Sequence, residues 1–363
     1  MRLVLRGGLI EGARAGDVLI VDGEIAAVGA KVDASGARVL ELGGAWVLPG
    51  FVDLHSVLRD ERDVDAALRG GFTTVVTVPL SQSIDSERLQ VLHASALTQK
   101  LEGNELGEVD AETVCLSQGF RPLPKASVLR RALQYSQRAL LMVHAEDPSL
   151  AGQGVIGAGL TATRLGLPSV PVTAETAVIA RDLLMLEETG GRLHFSHVTA
   201  ARSVELIADA KRRGLNVSAD VTPHHLTKDA RLAENYALDA RVWPPLRAES
   251  DVLALRAGLA DGTIDAIACD HVRVAALDRE HPFEACAPGC EAFEQALSAA
   301  ARCRLSPARL VEVLSTTPAR LLGLRTGLTP GVSAAITVIE PKDWTVRGTV
   351  IGERHTFPAG VAP

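Results

Sequence analysis

The chain has 363 residues, 47% of them hydrophobic and 3% aromatic, and a net charge of −7. That length suits one large domain or two modest ones, and the core must be built from Val, Leu, Ile and Ala because aromatics are scarce. An acidic chain without a basic face is not a general nucleic-acid binder, and no apolar run is long enough to span a bilayer, so neither nucleic acid nor membrane is an expected partner.

The opening "MRLVLRGGLIEG" is too short and too interrupted by Gly and Glu for a signal peptide. It reads as a first strand and turn. "AGDVLIVDGEIAAVGA" and "ARVLELGGAWVLPG" continue in the same manner, with Asp22-Gly23 marking a hairpin turn. From there strands and helices alternate: "WVLPGFVDLH" strand, "RDVDAALRGG" helix, "FTTVVTVP" strand, "SERLQVLHASALTQKL" helix, "ETVCLS" strand, "KASVLRRALQYSQR" helix, "ALLMVHAE" strand and "TAETAVIARDLLMLEETG" helix. "RLHFSHV" strand, "AARSVELIADAKRRG" helix, "LNVSADVTPHH" strand and "IDAIACDH" strand follow, then two late helices, "GCEAFEQALSAAARC" and "SPARLVEVLSTTPARLLGL". The tail, "AAITVIEP" and "WTVRGTVIGERHTF", is again strand-like.

Repeated β-then-α units with nearly continuous apolar strands imply a parallel sheet covered on both faces. This many units favour a closed (β/α)8 TIM barrel. The expected organisation is an α/β barrel over residues 49–329 and a small composite β domain formed from both termini, residues 1–48 plus 330–363. No glycine-rich phosphate motif follows the first strand, which leaves dinucleotide and P-loop readings without support. Five cysteines in a chain without secretory features fit reduced thiols and a cytoplasmic location. Cys286 and Cys290 have no second pair nearby and read as loop and core thiols, and Cys269 as inert packing.

In such a barrel the chemistry sits at the C-terminal ends of the strands. His55, His144, His197, the pair His224-His225, and Asp270 with His271 all fall at predicted strand ends. One histidine there is ordinarily a hydrogen-bonded structural group. Several on converging strands with an aspartate suit zinc or a similar ion. His224-His225 read as structural, His93 and His355 as surface residues, and the acidic runs "LEETGG" and "ERDVD" as solvated faces.

The segments "LPGFVDLHSVLRD", "GGFTTVV", "VHAED", "AETAVIARDL", "HFSHVTAARSVELIADAK", "VTPHHLTKDA", "PPLR", "ADGTIDAIACDH" and "LSTTPARLLGL" occur in order from about residue 48 to residue 324. In these the chain resembles the dihydroorotase family, the cyclic-amidase branch of the amidohydrolase superfamily. The resemblance implies the barrel with its composite β domain, and a site of two metal ions that activate water for hydrolysis of a cyclic amide. Its ligands carry over unevenly. His55 remains of an H-x-H pair whose second member is Val57. His144 and His197 match the next two ligands, and Asp270 matches the last, which in the family is also the general base. The bridging carboxylate or carbamylated lysine has no counterpart in "CLSQGFRP", where Gln118 and Gly119 stand. Of the substrate-binding groups Arg59 matches the carboxylate-binding arginine, whereas Leu80, Trp243 and Val274 replace polar residues.

The resemblance therefore implies a pyrimidine-biosynthesis protein with an incomplete binuclear site. On that reading Asp270 is a vestigial general base, Arg59 a vestigial substrate ligand, and His55, His144, His197 and Asp270 remnant metal ligands. The cofactor is then none, or one weakly bound zinc, and Trp243 is available to fill the vacated pocket. Degenerate members of the family act as structural partners of aspartate carbamoyltransferase, so a non-catalytic role beside that enzyme, in an oligomer, is the expectation. The alternative is an active hydrolase with a single metal held by His144, His197 and Asp270.

Overall fold

The structure is a computed structural model and describes residues 2–79, 84–109, 113–136 and 138–357. The strands in chain order are β1 (Arg2–Ile10), β2 (Arg14–Val21), β3 (Glu24–Gly29), β4 (Arg38–Glu41), β5 (Trp46–Pro49), β6 (Phe51–Ser56), β7 (Phe72–Thr77), β8 (Gln90–His93), β9 (Ser95–Ala96), β10 (Cys115–Ser117) and β11 (Leu140–His144). They continue as β12 (Ile156–Gly157), β13 (Ser169–Val170), β14 (Leu193–Ser196), β15 (Val217–Val221), β16 (Ala266–Ile267), β17 (Ala335–Glu340), β18 (Thr345–Ile351) and β19 (Arg354–His355).

Alternating apolar residues such as Leu3, Leu5, Ile20, Ile25, Val47, Ile336 and Val338 form a core of their own. They are brought together in one sheet of order β19-β18-β17-β5-β1-β2-β3, with β4 against β1. The two ends of the chain meet where β5 pairs antiparallel with β17, Val47 opposite Val338. The β2–β3 turn has Asp22 at φ 48° and Gly23 at φ 82°, the pair of left-handed residues that a tight hairpin demands.

β6 to β11 and β14 to β16 make the barrel. β6-β7-β8 and β9-β10-β11-β14-β15-β16 are parallel runs, and β8 with β9 occupies one position in the round. The ring closes between the last strand and the first: Asp270 donates its backbone N–H to His55 O at 2.9 Å, and Val57 donates to His271 O at 3.0 Å. Val52, Leu54, Val76, Ala94, Cys115, Leu140, Met142, Ala266 and Ala268 fill the interior, the layered plug typical of such barrels. Helices Glu61–Arg69, Ala126–Tyr135, Thr173–Thr189, Ala201–Arg212, Glu249–Asp261 and Ala296–Arg302 intervene or follow.

Three local expectations change. "WVLPGFVDLH" is two strands, β5 in the β sheet and β6 in the barrel, divided at Gly50. A Cβ there would collide with the Thr73 side chain, so only glycine lets the chain pass this close to β7. Residues 86–101 are not a helix. Leu, Gln and Ala give the segment helical character, but parallel pairing with β7, Thr74 opposite Gln90 through Thr77 opposite His93, makes it a barrel strand. Finally, the strand of "LNVSADVTPHH" stops at Val221, and His224 and His225 lie on the short helix Pro223–Thr227, capped by the Thr222 side chain.

Candidate metal centre at the barrel mouth

The closing of the ring places His55 at the end of β6 beside Asp270, and the turn after β14 brings in His197. His55 Nδ1 lies 3.2 Å from Asp270 Oδ1 and 3.0 Å from His197 Nε2, and His197 Nε2 lies 3.5 Å from Asp270 Oδ1. All three are buried, at 2%, 3% and 4% exposure. Among the described residues they form a group whose ligand atoms could hold a metal ion. A tetrahedral zinc with bonds of about 2.0–2.2 Å spaces its ligands about 3.3–3.6 Å apart, close to the edges of this triangle. Two imidazoles and a carboxylate are also a suitable donor set. His197 at φ 59° and Asp270 at φ 50° are both left-handed, a conformation costly for residues with a Cβ and held only where the surroundings dictate it.

Those surroundings are polar and closed. Asp220, on β15, accepts His197's backbone N–H at 2.7 Å and its Nδ1–H at 3.0 Å through Oδ1, and His194 Nε2 at 2.9 Å through Oδ2. His194 Nδ1 meets Ser218 Oγ at 2.8 Å. Behind the turn, Glu175 accepts the backbone N–H groups of Thr199 and Ala200, and the hydroxyls of Thr199 and Ser203. Arg247 stands over the same place, donating to Thr199 Oγ1 and Val170 O. The "AET" and "PPLR" segments thus meet on the turn that carries His197.

Burial alone would lower the pKa of His197, but the carboxylates of Asp270 and Asp220 outweigh it and push it up to about 9. His55 is driven the other way, by burial and then by His197, against the pull of Asp270. Burial would raise Asp270, yet His197 and His55 hold it at about 2. The three therefore share a closed space in which the carboxylate favours positive charge on the imidazoles. A bound cation would take the place of the His197 proton. Beneath them Asp53 is raised to about 7 by burial, even though it accepts the Cys269 N–H and the Ser56 hydroxyl, each at 2.5 Å.

Other anticipated residues fall elsewhere. His144 is buried at the end of β11, but its Nε2 has no hydrogen-bond partner and lies 3.6 Å from Glu146 Oε2. It lies outside the cluster of ligand atoms, which takes His55 beside His197 and Asp270. Arg59 is exposed and donates Nη1 to Arg273 O at 2.7 Å. Val57 is buried. Gln118 accepts the Thr98 hydroxyl at 2.9 Å, while its own Nε2 is unpartnered. Gly119 follows at φ 63°, and the Phe120 ring then stands edge-on to His55 with centroids 5.1 Å apart. Trp243 packs with Ala151, Val170 and Ala174 in a small satellite cluster, not over the trio, and Val274 is half-buried against Gly289. Leu80 lies outside the described residues.

The sequence reading missed four residues. Asp63, taken as part of a solvated run, is buried and accepts from the Arg59 N–H, His271 and Arg273. Asp220, His194 and Glu175 carry the support just described. Their shared signal was available: a charged or imidazole side chain within an apolar strand or on the inner face of a helix must be paired when buried.

The site thus lies at the mouth of a closed barrel beside a β domain built from both chain ends, with histidines and an aspartate at the strand ends. Residues 169–355 match the Amidohydrolase family, and residues 44–203 match the family described as Dihydro-orotase-like. A dihydroorotase of Caldanaerobacter subterraneus subsp. tengcongensis is 36% identical over 95% of this chain and 90% of its own length. One from Anaeromyxobacter dehalogenans strain 2CP-C is 40% identical over 95% and 88%. The chain belongs to the dihydroorotase family. Its fold is also shared with the L-hydantoinase (dihydropyrimidinase) of Arthrobacter aurescens, TM-score 0.83 at 22% identity over 99% of this chain and 96% of that one. The dihydropyrimidinase of Brevibacillus agri gives a TM-score of 0.82 at 20% identity over 98% and 95%.

Proposed function

We propose that this chain is a member of the dihydroorotase family that does not hydrolyse the dihydroorotate ring and serves pyrimidine synthesis as a structural partner of aspartate carbamoyltransferase. The observation that carries the reading is the run Gln118-Gly119-Phe120. Where a binuclear centre needs a bridging anion, this run presents a neutral amide already committed to Thr98, a residue without a side chain, and a phenyl ring against His55. Val57 adds a buried apolar group where a second imidazole would stand. Two ions held apart by a shared anion cannot be supported by that set. The place beside aspartate carbamoyltransferase follows from the resemblance to degenerate family members.

A second reading is a hydrolase with one ion held by His55, His197 and Asp270, favoured by the spacing of that trio. A bound ion there would supply a water acidified to near neutral pH. Asp220 would fix His197 with Nε2 forward, and Phe120 would exclude solvent from one side of His55.

Metal content and turnover separate the two. The expected result is at most one zinc per chain, no conversion between dihydroorotate and carbamoyl aspartate, and co-elution with the transcarbamoylase on size exclusion. Two zinc ions per chain, or ring hydrolysis lost on Asp270→Ala, overturns the first reading. So does a transcarbamoylase whose assembly is unaffected by the chain.

A further inference from the structure

His194 touches none of the ligand atoms. It is completely buried on β14, three residues before His197, and β14–β15 pairing sets it opposite Ser218. Its two ring nitrogens link Ser218 to Asp220. Asp220 Oδ1 already receives two donors from His197, the backbone N–H and Nδ1–H. The second oxygen, Oδ2, faces His194 Nε2 at 2.9 Å, so both oxygens of the carboxyl are occupied by the two histidines. His194 Nδ1 meets the Ser218 hydroxyl at 2.8 Å. The chain of contacts runs from Ser218 to His194 to Asp220 to His197. It ends with His197 Nε2 turned to His55 and Asp270.

We propose that His194 is a positioning residue for a divalent transition-metal ion held by His55, His197 and Asp270. Through Asp220 it fixes the tautomer and the left-handed backbone of His197. The proposal rests on the single-ion capacity of that trio and not on hydrolysis. An Asp220 carboxylate with one oxygen unpartnered in a dry interior would turn or recruit another donor, and His197 would lose both hydrogen bonds that hold it. Loss of such supporting partners weakens metal binding by about 10–100-fold.

The test uses the full chain with zinc and, as a spectroscopic probe, cobalt(II). In His194→Gln the amide reaches Asp220 as Nε2 does. In His194→Asn the amide is placed like Nδ1, faces Ser218 and leaves Asp220 Oδ2 bare. Zinc affinity measured by chelator competition is expected to fall about 10–100-fold in His194→Asn with an altered cobalt absorption spectrum, and to stay near wild type in His194→Gln. Asp220→Asn keeps the shape of the side chain but gives His197 Nδ1 and His194 Nε2 a neutral partner, and is expected to weaken zinc in the same direction. It serves should His194→Asn not fold. Equal zinc affinity in folded His194→Asn or in Asp220→Asn overturns the proposal, as does a His194→Gln variant as weak as His194→Asn. A wild-type chain that takes up no zinc overturns the proposal and the one-ion reading together; the other outcomes leave that reading standing.

Discussion

Single buried carboxylates govern this molecule, and they pull in opposite directions with pH. Asp63 is held at about 2: burial would raise it, but His271, the Arg59 N–H and Arg273 outweigh that. A carboxyl with a depressed folded pKa stabilises above its ordinary value of 3.8, and the contribution is lost as pH falls through about 2. Asp63→Asn should therefore cost about 2 kcal/mol at pH 7 and much less near pH 2. Asp182 is the reverse case. Burial lifts it to about 6, and its partner Arg181, 2.7 Å away, opposes this incompletely. Its ionisation on going from 3.8 to about 6 works against the fold. Asp182→Asn should raise stability at pH 7 by about 1–3 kcal/mol and change little at pH 4, as read from urea midpoints. Residue types at strand ends made His55, His197 and Asp270 legible in the sequence. Asp63, Asp220 and Glu175 were not, because an acid in a run of charges looks the same whether it faces water or a buried guanidinium. His144 was equally legible by its place at a strand end, and its Nε2 stands beside Glu146.

Among the elements, β6 connects the two halves of the molecule. It begins one residue after β5 leaves the β sheet, and Gly50 at the junction donates its N–H to Ala335 O at 2.8 Å while pressed against Thr73. Gly50→Ala should lower stability by about 1–3 kcal/mol through overpacking, and Thr73→Ala in the same chain should recover part of it; thermal denaturation of the two variants checks both. The sequence reading set the domain boundary at residue 48/49, one residue short of the glycine, but ran a single strand across it because Phe51 and Val52 continue the apolar run of β5. The segment around β8 was misread for a related reason. Its residues favour a helix locally, and only the vacancy between β7 and β10 in a closed ring makes it a strand. The long helices Thr173–Thr189 and Ala201–Arg212 raised no such conflict, because period and propensity agreed with their place outside the barrel.

For the whole molecule, the β sheet is a joint product of the two ends, and its removal is not a trimming of a tail. A chain ending at Ala334 lacks β17 to β19 and leaves β5 with a bare edge. It also loses the Thr337 hydroxyl that donates to Gly71 O at 2.6 Å beside the barrel's second strand. Such a chain should be less soluble and melt lower than the full one, as scanning calorimetry and sedimentation would show. The fold class was readable from the alternation of strands and helices, and the joining of the ends from their shared β character. The same arrangement orders events at the ribosome. β1 to β5 emerge first but cannot complete their sheet until the entire barrel has been synthesised, because β17 is their missing neighbour. Throughout translation the growing chain must carry an open strand edge, the kind that invites pairing with other chains. The last strands to be made are therefore the ones that end that exposure.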